Sequence, residues 1–465
     1  MTETLPSNYY MGVAPRVQDW AGVVDFSPRA YHVPNSLDEL SAVLGAALHM
    51  GAHCGGLRIL GGMHSCSTIF QSDFVIDTSR LPLEFTVAPP AKDGSARVTA
   101  SAFMHAHDFL ARAAEHGLSL TALGGTDAQT LAGLIATNTS GATIRTTVYE
   151  TLAWVEYLTV AADGKTIKTR RIERGAPEFN GVITSLGAIG MMTRVAFDLV
   201  PQRFFDAGME LRSLKDTLGN VDAVNAQYDF WRIEWLPDNE DVGNFWWAKR
   251  IAQGDPNGDY PPDKVEGLLR QVISFDDRAF SGGPLLDPML KAAYGMMISA
   301  YQPTTASGPM RTMIPVDRLA PIKVAMAEWS FAPADLARVM DCCRSYFSAK
   351  GWPNLSIEIQ CSLKDDYWMS AWNWADVPEP YIVKFNFQYI TDSLSADEKT
   401  QMLTHLKGLW DALDAAQIKF KPHWGKMNFL DPKRVTALYQ PKHFLPLVKP
   451  LFLNDYLRAR LPLQG

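Results

Sequence analysis

Leu57-Arg58-Ile59-Leu60-Gly61-Gly62-Met63-His64-Ser65-Cys66-Ser67 is the stretch on which the fold turns. Leu57–Leu60 reads as a short strand, and the small residues of Gly61–Ser67 stop it in a turn. Glycine lets backbone N–H groups approach a ligand with no Cβ between, and successive N–H groups make a nest for phosphate. A tight turn uses the same residues, so this stretch alone leaves both readings open.

The flanks narrow the choice. Upstream, Ser36 and Glu39 form a capping box for a helix to Met50, with Leu37, Leu40, Val43, Leu44 and Leu48 on one face and Gly51 as its stop. Downstream, Phe74–Asp77 predicts the next strand. The pattern then repeats: a strand at 97–100, a helix over His105–His116 closed by Gly117, and a second small-residue tract, Gly124–Thr143. Leu152–Val160 and Thr166–Arg170 flank Asp163-Gly164, which marks a hairpin. Both Gly/Ser/Thr-rich loops therefore follow strands directly.

Composition shifts after Pro201. Tyr228, Phe230, Trp231, Trp235, Phe245, Trp246 and Trp247 crowd one stretch, and residues 252–310 are rich in Gly, Pro and Asp. Tyr367, Trp368, Trp372 and Trp374 precede an alternating strand, Tyr381–Ile390. With 465 residues, two lobes are the expectation: 1–200, 201–420, and a tail, 421–465, that returns to the first lobe.

The formal charge of −7 gives no electrostatic footprint for nucleic acid and argues against broad binding to anionic membranes. No stretch approaches the roughly 18 apolar residues that span a bilayer. Residues 1–19 lack the three-part pattern of a signal peptide. Five cysteines without a CxxC spacing suggest reduced thiols in a cytoplasmic protein, so Asn138 and Asn354 carry little weight as glycosylation sites. No H-E-x-x-H is present, and His105 and His107 fall on different helix faces, so no metal is expected. G-x-G-x-x-G, a P-loop and G-x-S-x-G are absent, with Gly187-Ala188-Ile189-Gly190 a partial look-alike of the first.

In order along the chain, Asp19-Trp20-Ala21-Gly22, Tyr31-His32-Val33-Pro34, Leu57–Ser65, Leu123–Thr137, Leu186–Thr193, Pro422-His423-Trp424-Gly425-Lys426 and Phe452–Leu457 resemble the vanillyl-alcohol-oxidase type of FAD-binding family, in its aldonolactone and alditol oxidase branch. The resemblance implies an α+β protein: a two-subdomain FAD-binding domain and a substrate-binding cap with a large antiparallel sheet. It implies FAD, joined covalently to His64. It implies cofactor contacts from Gly61, Gly62, Met63, Ser65, Cys66 and Ser67 in the first loop. Gly124, Gly125, Thr126, Thr130, Gly133, Ala136, Thr137 and Ser140 would follow in the second, and Gly187, Gly190 and Met191 in a closing strand.

It also implies oxidation of a CH–OH group in a sugar lactone, alditol or related small molecule by hydride transfer to flavin N5. Molecular oxygen would be the second acceptor, giving hydrogen peroxide, and a dehydrogenase with another acceptor is the alternative. Lys426 would stabilise the reduced, anionic flavin and His423 would orient ring or substrate. Glu358 and Gln360 share one face of a strand, where Glu358 would bind substrate hydroxyls or assist proton removal. Gln360 stands where the family carries arginine, and Asn138-Thr139-Ser140-Gly141 replaces its usual T-H-G. These departures, with Trp372 and Trp374 as candidate pocket walls, keep open a less polar substrate or a biosynthetic, non-redox flavoprotein.

Overall fold

The computed structural model describes residues 15–50, 55–239, 241–260, 283–314, 322–392 and 394–463. A two-stranded ribbon, β1 (Val17–Gln18) and β2 (Asp25–Phe26), leads into a parallel sheet of β3 (Ala30–His32), β4 (Leu57–Leu60) and β5 (Phe74–Asp77), with β5 central. Helix α1 (Leu37–Met50) buries Leu40, Val43, Leu44 and Ala47. Ser36 Oγ accepts the Glu39 N–H at 3.1 Å, but Glu39 reaches back to the Asn35 N–H at 2.7 Å, one residue beyond the expected partner. Gly51 and Cys54 lie outside the described residues, as does 261–282 of the Gly/Pro/Asp tract.

The second sheet holds β6 (Phe85–Val87), β7 (Ala96–Ser101), β8 (Leu118–Ser119), β9 (Leu152–Val160), β10 (Ile167–Glu173) and β11 (Met191–Pro201). Its order is β10-β9-β11-β7-β6, with β8 also on β11. The β9–β10 hairpin turns at Gly164, φ +69°, where Asp163 Oδ1 accepts the Lys165 N–H at 2.8 Å. Helix α2 (Ala106–Glu115) begins one residue after His105. His105 therefore sits outside the helix, and its ring stacks on His107 at 5.3 Å rather than pointing to another face. Two further expectations change. The tract 124–143 contains helix α3 (Leu131–Thr137), because Thr130 Oγ1 caps it on the Gly133 N–H at 3.2 Å. The segment 186–190 is a turn, with Leu186 and Gly187 in the left-handed region, and the strand starts at Met191.

The third sheet is antiparallel and has eight strands: β12 (Phe204–Ser213), β13 (Phe230–Trp235), β14 (Val242–Ile251), β15 (Thr304–Pro309), β16 (Val324–Phe331), β17 (Ile357–Leu363), β18 (Tyr381–Ile390) and β19 (Phe420–Pro422). Their order is β15-β12-β14-β13-β17-β18-β16-β19. Period two sorts β18 into an apolar set, Val383, Phe385, Phe387 and Tyr389, and a polar set, Lys384, Asn386 and Gln388. The apolar face packs under helices Leu336–Lys350 and Ala396–Ala415, as Phe347 against Phe387 (6.5 Å) and Tyr389 Oη against His405 Nδ1 (3.0 Å) show. The polar face is thereby left for a site. After β19 the chain crosses to the first loop, and Asn454 Nδ2 donates to the carbonyls of Thr68, Ile69 and Gln71.

Candidate active site

Strand β4 delivers the chain into Gly61–Ser65. Gly61 and Gly62 are small because the second loop lies against them: a Cβ on Gly61 would stand 2.6 Å from Thr130 Oγ1, and one on Gly62 2.3 Å from the Ala128 carbonyl oxygen. Met63 takes φ +53°, a conformation that costs a side-chain-bearing residue about 1–3 kcal/mol, and its carbonyl accepts the Trp20 N–H at 2.9 Å. The N–H groups of residues 62–65 find no protein acceptor among the described residues. Buried Arg58 ties this loop to the other walls, donating to the carbonyls of Leu186 (2.7 Å) and Phe452 (3.0 Å). Burial lowers its pKa to about 10, so the guanidinium remains charged at neutral pH.

These loops enclose a cleft of about 940 Å³, lined by Gly61, Gly62, Met63, His64, Ser65, Thr130, Gly133, Ala136, Thr137, Gly187, Gly190 and Met191. Cys66 and Ser67 do not line it. The returning tail occupies them: the Cys66 N–H donates to the Gly425 carbonyl (2.8 Å) and Ser67 Oγ to the Trp424 carbonyl (2.9 Å). Gly124 also faces protein, since a Cβ there would meet Thr139 Cγ2 at 2.3 Å. Gly125, Thr126 and Ser140 line a second cavity instead, about 1400 Å³ in volume.

His64 and Gln129 line both spaces. The His64 ring stacks on Trp20, centroids 5.6 Å apart. Burial, then the nearby charges of Lys426 and His105, lower its pKa to about 4, so the imidazole is neutral at physiological pH. The polar face of the third sheet forms the opposite wall, with Arg232 and Glu234 from β13, Glu358 and Gln360 from β17, Asn386 and Gln388 from β18 and Glu328 from β16. Glu358 is held at both oxygens: Gln360 Nε2 donates to Oε1 (2.6 Å) and Arg232 Nη1 to Oε2 (3.0 Å). Asn386 Oδ1 is buried with no protein donor among the described residues.

Lys426 and His423 complete the wall. Lys426 Nζ lies 3.5 Å from Met326 Sδ. Burial pushes the Glu328 carboxyl up, but Lys384, His423 and Lys426 outweigh it and hold the group below its ordinary value. Lys384 Nζ is 3.2 Å from Glu328 Oε1 and donates to Ser140 Oγ at 2.7 Å. His423 is neutral, its pKa lowered to about 4 by burial above all, against the pull of Glu328. Its Nδ1 accepts the Gly425 N–H at 3.2 Å. Arg232, Glu328 and Lys384 were absent from the sequence expectation. The alternation of β18 carried a signal for Lys384, but nothing local marked Arg232 or Glu328.

Trp372 and Trp374 are core residues, not cavity walls. Trp372 Nε1 donates to the Asn138 carbonyl (3.2 Å) and Trp374 Nε1 to Ser330 Oγ (2.9 Å), which satisfies both indoles inside protein. Beside them, Asp365 Oδ2 accepts from Asn138 Nδ2 (2.9 Å) and Ser370 Oγ (2.7 Å), pinning the second loop where Asn138 takes φ +58°. Burial raises the Asp365 pKa to about 7, above its unfolded value. The folded protein then binds the proton more tightly, so this group favours folding at low pH, and that contribution is lost as pH rises from about 4 to about 7. In Asp365→Asn the loss is expected to vanish, so the gap in melting temperature between native protein and variant should change over that window. A gap constant from pH 4 to pH 8 would refute the assignment.

Residues 28–170 match the family model described as FAD binding domain. The chain carries an FAD binding domain over these residues. It is 28% identical to L-gulonolactone oxidase of Mus musculus over 234 residues, 50% of this chain and 51% of that one. It is 31% identical to alditol oxidase of a Streptomyces species over 197 residues, 42% and 44% of the two chains. The chain thus spans about half the length of the curated relatives it matches. The fold is that of the Brevibacterium sterolicum cholesterol oxidase, with TM-score 0.75 over 99% of each chain at 14% identity. Among the described residues no helix is long and apolar enough to cross a membrane, and no His/Cys/Asp/Glu group is arranged to hold a metal.

Proposed function

We propose that this protein is an FAD-dependent oxidase of CH–OH groups in a small polyhydroxylated substrate, a sugar lactone or alditol, with molecular oxygen as final acceptor. The observation that carries the reading is His64, which lines both the loop cleft and the cavity that carries charged and amide side chains on its third-sheet wall. The fit to FAD rests on the unpartnered N–H groups of residues 62–65, a nest for the pyrophosphate, in a cleft built by loops without Cβ atoms. Bound FAD supplies a two-electron acceptor.

Residues of the chain do the rest. Gly61, Gly62, Met63, Ser65, Thr130, Gly133, Ala136, Thr137, Gly187, Gly190 and Met191 hold the cofactor. His64, neutral and with a nitrogen lone pair available, is the covalent attachment point. Glu358, fixed by Arg232 and Gln360, accepts a hydrogen bond from a substrate hydroxyl and orients its proton. Lys426 brings a positive charge to the side of the cavity shared with His64, where negative charge accumulates during oxidation. His423 orients the Lys426 turn through Gly425. The polar row on the third sheet favours hydroxylated substrates, while Trp20, Ile322, Val324, Met326 and Leu355 give the cavity an apolar side; Trp372 and Trp374 lie in the core and do not contribute to it. The cytoplasm is the proposed location.

The deciding experiment mixes purified protein anaerobically with alditols and sugar lactones and follows the flavin bands. Bleaching by such a substrate, followed by recolouring in air with peroxide release, is expected. A flavin reduced by substrate yet stable in air would remove the oxidase reading, and no bleaching by any polyol or lactone would remove the function. After acid precipitation the colour should stay with the native protein and leave His64→Ala. Colour released from both proteins would disprove the covalent bond while sparing FAD.

A further inference from the structure

The cavity wall on the third sheet is ordered by cross-strand register. Arg232, Gln360 and Lys384 stand directly opposite one another on β13, β17 and β18, and Glu234, Glu358, Asn386 and Glu328 form the next row, on the same face. One row donates and the other accepts. Each cation of the first row is matched to a carboxylate of the second: Arg232 to Glu358 at 3.0 Å and to Glu234 at 3.6 Å, Lys384 to Glu328 at 3.2 Å.

This arrangement explains the glutamine at 360. Residues directly opposite in an antiparallel pair have Cβ atoms about 4.5–5.5 Å apart, and like charges there are destabilising. An arginine at 360 would stand between Arg232 and Lys384, three cations abreast in a buried wall. The neutral amide avoids that and still donates to Glu358.

We propose that Arg232 is the specificity-determining cation of this cavity: reaching across from β13, it takes the place of an arginine at 360, fixes Glu358, and together with the donor row selects an uncharged polyhydroxylated substrate. The substrate class rests on the function proposed above. The charge count supports an uncharged ligand, because Glu234, Glu328 and Glu358 of the lining are balanced by Arg232 and Lys426 beside them and by buried Lys384 behind Glu328. A substrate carboxylate therefore meets no surplus cation. The rows lie two residues apart along each strand, about 7 Å, so neighbouring parts of one extended polyol meet donors and acceptors in turn.

The test compares native protein with Arg232→Gln, Gln360→Arg and the double exchange. In Arg232→Gln the alditol concentration giving half-maximal flavin reduction should rise about 10- to 100-fold, the worth of a hydrogen bond to a charged group, with a much smaller change in limiting rate. Gln360→Arg should bind alditol more weakly and melt at a lower temperature. The double exchange should recover part of both deficits, since a cation again stands beside Glu358 without a like neighbour at 232, while Lys384 still stands opposite position 360. A folded, yellow double variant as weak as the two single effects combined would overturn the proposal. If no alditol or lactone reduces the native flavin, the function and the substrate role fall together. The melting temperatures still decide the charge pairing: relief of the Gln360→Arg deficit by Arg232→Gln supports it, and no relief overturns it.

Discussion

Gly62→Ala is expected to give protein that is colourless or nearly so as purified and markedly less stable than the native form. The added methyl would sit 2.3 Å from the Ala128 carbonyl oxygen and 3.1 Å from Gln129 Cα. Both are backbone atoms, so no flexible side chain can yield. The first loop must move away from the second, and the two together wall the cofactor cleft. Overpacking of this kind costs about 1–3 kcal/mol and sometimes more, and here the displaced atoms belong to the proposed cofactor contacts. Gly125→Ala is the control, because a Cβ at that position meets nothing within 4 Å. The measurements are the flavin-to-protein absorbance ratio and the melting temperature. Gly62→Ala with a native ratio and a native melting temperature would show that the loops tolerate separation, and the close-packing account would fail.

Lys426→Met should retain the flavin and lower the limiting rate of flavin reduction about 10²- to 10³-fold, the usual cost of removing one preorganised charge from a reacting centre. Methionine keeps much of the aliphatic stem, so a change in fold does not explain the loss. A second signature separates electrostatics from packing. Lys426 is among the causes that lower the pKa of His64 and of His423, so both values should rise in the variant, although burial remains the larger cause for each. Stopped-flow reduction under anaerobic conditions gives the rate, and its pH profile, or the ring resonances of the two histidines, gives the second reading. A near-native reduction rate in flavin-loaded Lys426→Met would exclude the lysine from the chemistry.

Much of the cofactor side was legible because its signals are local. Strand β4, the glycine turn after it and the helix before it are each set by residues within a few positions of one another. So are the strands β9, placed by the hairpin at Asp163-Gly164, and β18, placed by its alternation. The misplacements were of packing. Gly124, Cys66 and Ser67 share the composition of the ligand-facing residues, and only the tail at Trp424-Gly425 and the side chain of Thr139 decide that they face protein. Trp372 and Trp374 were ambiguous for the same reason, since an aromatic cluster reads alike in a core and in a pocket.

The substrate side divides along the same line. From the chain alone, Glu358 and Gln360 share a strand face, because alternation along one strand is a property of neighbouring residues, and only the resemblance implies an arginine at 360. Which cation replaces it is not written near residue 360. Arg232 lies 126 residues from Glu358 in sequence, and it becomes a partner through the register of β13 on β17. Register is fixed by burial of the opposite, apolar face, where a slip of one residue would turn Phe385, Phe387 and Tyr389 outward. The sequence by itself therefore determined a glycine turn after a strand and a polar strand face, and the tertiary structure decided which charges meet across that face.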